Sequence, residues 1–117
     1  MPVALPLADK STIDRQRIRA FVEEVVRRFQ PERVVLFGSY AYGRPDADSD
    51  VDLLVVMRHH GEGPEQAARI RRVVRSGFPL DLIVRSPANI RLRVKMGDSF
   101  IREILDKGEV LHESRDS

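Results

Sequence analysis

Three aspartates beside apolar runs are the residues of this sequence best suited to chemistry. Asp50 and Asp52 stand two positions apart where the apolar run 51–57 begins, and Asp81 stands inside a later run, 80–84. Because successive strand side chains point to opposite faces, Asp50 and Asp52 share one face, and we expect a neighbouring strand to bring Asp81 there. Three crowded carboxylates would raise one another's pKa unless a cation neutralised them. Oxygen-only ligands favour a hard ion such as Mg²⁺.

A glycine and a serine form a second candidate feature. Gly38 follows the apolar run 33–37, and ten residues separate Ser39 from Asp50. A glycine after a strand permits a close backbone approach, and Ser39 adds a hydroxyl and an N–H at a predicted helix start, a geometry that suits a phosphate. A phosphate site beside a metal cluster is the arrangement of phosphoryl or nucleotidyl transfer, in which two ions about 4 Å apart stabilise the attacking and leaving oxygens. The residues alone therefore predict metal-assisted phosphorus chemistry.

Alternating helix and strand patterns must position these residues. Apolar residues recur at spacings of three and four between 18 and 29, after Ser11 and Asp14, which suit a helix start. Continuous apolar runs predict strands, and the segments between them carry helix start and stop signals. We predict strands at 33–37, 51–57 and 80–84, an edge strand at 109–112, and further helices at 65–75, 87–95 and 99–107. The alternation favours an α/β domain with a largely covered sheet.

Composition narrows the function classes. The chain has 117 residues, 20 Lys and Arg against 18 Asp and Glu, and a net charge of +2. The absence of cysteine excludes a disulfide framework, a thiolate nucleophile and cysteine-ligated metals. No apolar run approaches the roughly 18 residues that span a bilayer, and the first residues lack signal-peptide features. We therefore expect a cytoplasmic protein without membrane contact.

Charge is unevenly distributed, and this bears on nucleic-acid binding. Residues 58–95 hold nine basic and three acidic groups, whereas the whole chain is nearly neutral. Four arginines of this segment fall on a predicted helix, and we expect a solvated helical face rather than a nucleic-acid contact. They are Arg69, Arg71, Arg72 and Arg75.

Two segments resemble a known signature. Residues 37–43, Phe-Gly-Ser-Tyr-Ala-Tyr-Gly, and 48–55, Asp-Ser-Asp-Val-Asp-Leu-Leu-Val, resemble the GSx10DxD motif of the DNA polymerase beta-like nucleotidyltransferase superfamily. The chain length, strand 80–84 and the ending at 97–111 resemble its minimal nucleotidyltransferases. The resemblance implies a single-domain α/β (α+β) fold, a mixed sheet flanked by helices. It places an N-terminal extension and helix start at 1–14, the nucleotidyltransferase domain at 15–113 and a tail at 114–117.

The resemblance also implies site roles. Asp50 and Asp52 would bind two Mg²⁺ ions, and Gly38 and Ser39 would hold the β- and γ-phosphates of a nucleoside triphosphate. Asp81 would bind the catalytic metal and help deprotonate the acceptor hydroxyl. Attack would fall on the α-phosphorus, transferring AMP from ATP and releasing pyrophosphate. Catalysis would be mainly positioning and charge neutralisation.

Specificity is less directly encoded. Family members often carry a basic residue near Gly43, where this chain has Tyr42, and we expect Arg44 to supply that charge. Larger members carry a further domain that grips the acceptor. Minimal members are often paired with a helical HEPN-domain toxin, on which the transferase, acting as antitoxin, adenylylates a tyrosine. The resemblance thus implies a HEPN-domain partner in a hetero-oligomer.

Two alternatives to this function stay open at the sequence level. The chain could be a binding module that neutralises its partner with a vestigial transferase site, or a transferase acting on a small-molecule hydroxyl. Tyr40 and Tyr42 could stack on a nucleobase or pack against the first helix. His59 and His60 suggest a solvated loop. Several apolar residues near the C-terminus could form a docking surface or belong to the core: Val94, Met96, Phe100, Ile101 and Leu105.

Overall fold

The first helix forms as its apolar spacing predicts. In a computed structural model, which describes residues 12–115, helix α1 spans Arg15–Phe29. The Asp14 carboxylate accepts a hydrogen bond from the Gln16 backbone N–H and caps the helix, and Gln30 ends it in the left-handed conformation, one residue before Pro31. The predicted contribution of Ser11 lies outside the described residues.

Four strands form one mixed sheet in the order β3-β2-β1-β4. The central pair, β1 and β2, is antiparallel, β3 joins β2 in parallel, and β4 joins the other edge of β1 antiparallel, with a register shift between Val34 and Val35. The strands are β1 (Arg33–Phe37), β2 (Val51–Val56), β3 (Leu80–Arg85) and β4 (Glu109–Glu113). The predicted strands and the mixed α/β sheet are confirmed, with ends shifted by one residue at most.

Four further helices connect or follow the strands: α2 (Ser39–Tyr42), α3 (Gly63–Val73), α4 (Pro87–Lys95) and α5 (Ser99–Lys107). Ser86 and Asp98 cap α4 and α5 with their side chains, as the sequence predicts. Helix α3 differs from its predicted span of 65–75. A reciprocal capping box between Glu62 and Glu65 starts it earlier, and Val74 adopts an extended conformation that ends it sooner.

The sheet carries one core on each face, because strand side chains alternate. The α1/α3 layer packs the side chains of Leu36 and Leu53 among 18 buried residues. The α4/α5 layer packs those of Val35 and Leu54 among seven. Among residues 12–115, no helix combines the length and apolar character needed to cross a membrane.

Candidate active site

The sheet places two of the three predicted acids side by side. Asp52 on β2 pairs with Asp81 on the parallel strand β3, and on its other side Asp52 pairs with Phe37 of β1. Residues paired across strands share a face, so both carboxylates belong to the face that Phe37 and the α4/α5 layer occupy. The strand register thus places Asp81 beside Asp52, whereas Asp50 precedes the paired positions.

Asp50 reaches this cluster from the loop before β2. The loop is held by a tight turn, in which the Asp46 N–H donates to Ser49 Oγ at 2.9 Å and the Asp48 N–H donates to Asp46 Oδ1 at 2.9 Å. Asp46 and Asp48 therefore serve to form a turn. The turn fixes the chain immediately before Asp50, which is exposed.

Electrostatic crowding is concentrated on Asp52. Partial burial, together with the neighbouring charges of Asp81 and Asp50, raises the pKa of Asp52 to about 6. Asp50 and Asp81 are themselves exposed. A divalent cation between these carboxylates would relieve this repulsion, and solvent can reach two of the three.

Gly38 allows the backbone of β1 to approach the carboxylate of Asp52 closely. Its φ is +73°, and a Cβ at this position would stand 2.0 Å from Asp52 Oδ2. The chain then turns into α2, whose first residue is Ser39. Gly38 O accepts hydrogen bonds from the N–H groups of Ala41 and Tyr42, and within residues 12–115 the Ser39 hydroxyl has no hydrogen-bond partner. A free hydroxyl and a backbone turn therefore border the acids.

A contact that the sequence did not reveal supports Asp81. Arg71 Nη2 on α3 donates a hydrogen bond to the Leu80 carbonyl at 2.6 Å, and the Val51 N–H donates to the Pro79 carbonyl at 3.0 Å. Both bonds fix the start of β3 beside the start of β2. Arg71 is exposed like the other three arginines of its segment, so the predicted solvated helix face is confirmed, and this hydrogen bond adds a backbone contact to it. The position of Arg71 four residues after buried Ala67 was the available signal.

The two tyrosines after Ser39 have different environments. Tyr40 is buried, and its hydroxyl accepts a hydrogen bond from the Ile13 N–H at 2.9 Å, so it packs toward α1 rather than stacking on a ligand. Tyr42 is 40% exposed and is open to a ligand. Arg44 is exposed in the loop after α2, and across the described part of the chain it forms no ion pair.

The histidine pair divides in a similar way. His60 is exposed, as predicted, but His59 is half-buried, and its Nδ1 is enclosed and finds no hydrogen-bond partner among residues 12–115. His59 lines a cavity of about 280 Å³ with Arg85 and Asn89, beyond the opposite ends of β2 and β3. The pair therefore takes no part in the aspartate cluster.

The aspartate cluster fits a hard cation in charge and in donor type. All its donors are carboxylate oxygens, and the raised pKa of Asp52 reflects its partial burial first and then repulsion from Asp81 and Asp50. Among residues 12–115, however, no three acidic or imidazole groups stand as a finished ligand cluster. Asp52 and Asp81 thus share one strand register and one face of the sheet, and Asp50 adjoins them from the preceding loop.

Comparisons with known proteins agree with this geometry. A family model described as a nucleotidyltransferase domain matches residues 18–111. A curated protein from Methanocaldococcus jannaschii, a proposed protein adenylyltransferase, is 35% identical over 77 residues, which are 66% of this chain and 75% of that protein. A proposed nucleotidyltransferase from Sulfolobus solfataricus, solved by crystallography, superposes with a TM-score of 0.51 at 29% identity, covering 62% of this chain and 67% of its own.

A third likeness is weaker. A chain from the crystal structure of a mutant toxin-antitoxin pair, MntA-HpeT, covers 89% of this chain and 76% of its own length. Its TM-score is 0.46 and its identity 14%. That similarity is too low to support a comparison of function.

Proposed function

Because the chain belongs to the nucleotidyltransferase domain family, we propose that it transfers AMP from ATP to a hydroxyl of a partner protein. The chain is a nucleotidyltransferase by family. The carrying observation for an active site is the register pair of Asp52 and Asp81, with Gly38 so close that a Cβ would meet Asp52 Oδ2. A fold kept without its reaction would not need this close approach.

Each residue near the pair has a proposed role. Gly38 and Ser39 bind the β- and γ-phosphates through the backbone turn and the unpartnered hydroxyl, and exposed Arg44 adds positive charge near the triphosphate. Asp50, Asp52 and Asp81 hold two Mg²⁺ ions, which when bound neutralise the phosphate charge and stabilise the attacking and leaving oxygens. The raised pKa of Asp52 favours this role, since a cation would offset the repulsion among the acids.

The transfer step follows from these positions. The acceptor oxygen attacks the α-phosphorus of ATP, and the bond from that phosphorus to the bridging oxygen breaks, so pyrophosphate leaves. Exposed Asp81 accepts the proton of the acceptor hydroxyl. Asp52 stays ionised at neutral pH because its pKa of about 6 lies below that pH. The product is an AMP ester of the acceptor.

We take the acceptor to be a protein tyrosine on a HEPN-domain toxin, which makes the chain an antitoxin. The name of the M. jannaschii relative, a proposed protein adenylyltransferase, supports a protein acceptor and the adenine nucleotide. The sequence resemblance described above supports the HEPN partner. Fold alone does not assign a substrate, so this choice depends on the experiment.

The test incubates the chain with ATP labelled at the α-phosphate, MgCl2 and the product of the adjacent gene, which the proposal takes to be the HEPN-domain partner. We expect label on the partner, lost on chelation and mapped by mass spectrometry to a tyrosine. The double variant Asp50→Asn, Asp52→Asn should lower transfer by about 1,000-fold or more.

Asp48→Asn is the matched control, since Asp48 is an exposed acid of the same loop outside the cluster. Its transfer rate should equal that of the wild type. If the double variant still neutralises the toxin undiminished, the chain acts by binding and the catalytic proposal is wrong. Label on a small-molecule hydroxyl, with none on the partner, would overturn the protein acceptor.

A further inference from the structure

An apolar and basic surface lies beside the active site, on the outer side of the α4/α5 layer. We propose that it docks an amphipathic, acidic segment of the acceptor protein. We call it the α4–α5 patch and define it by Leu92, Met96 and Phe100 with the adjoining Arg91 and Lys95. The inference rests on the proposed function, because it assumes a protein acceptor that must present its hydroxyl to the aspartates.

The three apolar residues are unusually open for their size. Leu92 is 52% exposed, Met96 67% and Phe100 49%. Leu92 and Met96 are four residues apart, so they form a continuous apolar stripe on the outer face of α4, while Ile90 is buried on its inner face. Phe100 follows at the start of α5. Grouped exposed apolar side chains characterise interaction surfaces, whereas single ones need no explanation.

A ring contact joins this patch to the catalytic face. The Phe100 ring packs edge to face against Phe37, with centroids 5.8 Å apart and planes at 83°. Phe37 immediately precedes Gly38 and pairs with Asp52 across the strands. One buried aromatic ring therefore separates the exposed side of Phe100 from the residues beside the reacting centre. A segment docked on the patch would extend toward the acids.

Charge indicates what kind of segment fits. Arg91 and Lys95 are four residues apart and form a basic stripe beside the apolar stripe of Leu92 and Met96. Across residues 12–115, Arg91 and Lys95 form no ion pair, while Arg93 pairs with Asp98 at 3.7 Å. Helix α4 contains no acidic residue. The complementary partner therefore presents apolar side chains flanked by Asp or Glu, as an amphipathic helix does.

Apolar stripes favour protein over nucleic acid as the occupant. Nucleic-acid contacts consist mainly of cations on phosphates, and Leu92 and Met96 would contribute little to them. Positive charge alone would suit either class. The combination of an apolar stripe with an adjacent basic stripe suits an acidic amphipathic helix better.

The test separates docking from chemistry by measuring the Michaelis constants for the two substrates. Leu92→Ser with Met96→Ser should raise KM for the HEPN-domain partner about tenfold or more while leaving KM for ATP and kcat near wild type. Arg91→Glu with Lys95→Glu should weaken partner binding similarly and remove most of its salt dependence. Val73→Ser is the matched control, since Val73 is 45% exposed on α3 and lies outside the patch.

A calorimetric measurement of how the partner binds the chain carrying Asp50→Asn and Asp52→Asn keeps the two proposals distinguishable. If the wild-type chain binds the partner through the patch but transfers no label to it, the proposed chemistry is overturned and the docking surface is supported. Equal partner affinity for the wild-type and Leu92→Ser, Met96→Ser surfaces would overturn the docking surface. Salt-dependent oligonucleotide binding that needs Arg91 and Lys95 but not Leu92 and Met96, with no effect on the partner, would also overturn it.

Discussion

The two helical layers that cover the sheet have different roles in the protein. The α1/α3 layer buries 18 residues in one cluster among those described, and it continues to the end of the sheet where the motif lies, since Val51 and Leu80 belong to it. The α4/α5 layer buries seven. On its face the strand positions change from apolar Leu54 to acidic Asp52 and Asp81. One face thus supplies most of the stability, and the other leaves room for substrate.

This difference shows how a small domain can hold both a hydrophobic core and a cluster of like charges. Three like charges cost stability, so the opposite face must be well packed if the sheet is to present them. The thinner layer also exposes Leu92, Met96 and Phe100, which the proposals above use for docking. Because successive side chains of β2 point to opposite faces, residues that stabilise the fold face one layer and residues of the site face the other.

The largest expected effect tests this division on two neighbouring leucines. Leu53 and Leu54 are both 0% exposed, yet they belong to opposite layers. Leu53→Ala should lower the free energy of unfolding by about 4 kcal/mol, and Leu54→Ala by about 2.5 kcal/mol, because a cavity in the thinner layer collapses more easily. Urea unfolding followed by circular dichroism measures both.

Each of the two leucine variants is the control for the other, because residue type, strand and exposure are the same. A larger loss for Leu54→Ala than for Leu53→Ala would contradict the division of stability between the layers. At temperatures where both variants stay folded, only Leu54→Ala should also slow AMP transfer, because it loosens the layer that borders the acids.

A second expected effect compares two glycines with positive φ. Gly38→Ala would put a Cβ 2.0 Å from Asp52 Oδ2, whereas at Gly97, with φ +83°, nothing lies within 4 Å of the added Cβ. Both substitutions strain the backbone by about 1 to 3 kcal/mol, and the cost is larger at Gly38, whose ψ of −153° lies in a region that only glycine ordinarily adopts. Gly38→Ala should additionally displace Asp52 and lower kcat by about 100-fold, equivalent to about 2.7 kcal/mol. Steady-state transfer assays on both variants measure the contrast.

Gly97→Ala should keep wild-type transfer and lose only the strain energy. Equal kcat for the Gly38 and Gly97 variants would show that the contact of Gly38 with Asp52 is irrelevant to the reaction. It would also remove the observation on which the active-site proposal depends.

Much of the site was predictable because its signals are local. Gly38, Ser39, Asp50 and Asp52 lie within fifteen consecutive residues, and their spacing carries the chemistry without knowledge of the fold. Predicting the position of Asp81 required only one further assumption, that two apolar runs are neighbouring strands, and the strand register confirms it.

The features of the fold and site that the sequence did not predict depend on contacts between residues far apart in the chain. No local pattern reveals that Arg71 donates to the Leu80 carbonyl, since helical spacing gives the face of a side chain but not its partner. Likewise, Met96 and Phe100 were open to either assignment, and only packing shows them exposed while Ile101 is buried. Helix α3 begins and ends earlier than predicted, because a capping box of two glutamates starts it at Gly63 and the extended conformation of Val74 ends it.

The smallest expected effect concerns the stability cost of the charged face itself. Asp52 has a folded-state pKa of about 6 against an ordinary value of 3.8, so the folded state binds its proton more tightly. Stability from this group is therefore present below pH 3.8 and is lost as pH rises to about 6. Because solvent screens this half-buried carboxylate, we expect a loss of about 1 kcal/mol, well under the unscreened value.

Asp52→Asn removes that pH dependence, since an amide does not titrate. In EDTA the variant should match the wild type near pH 4 and exceed its free energy of unfolding by about 1 kcal/mol at pH 7, as measured by urea titration. Asp48→Asn should follow the wild-type curve. MgCl2 should raise the pH 7 stability of the wild type more than that of Asp52→Asn, because an ion that binds the folded acids shifts the unfolding equilibrium. If the free energies of unfolding of the wild type and Asp52→Asn change with pH in parallel, the acids impose no stability cost. The proposed need for a cation would then lose its physical basis.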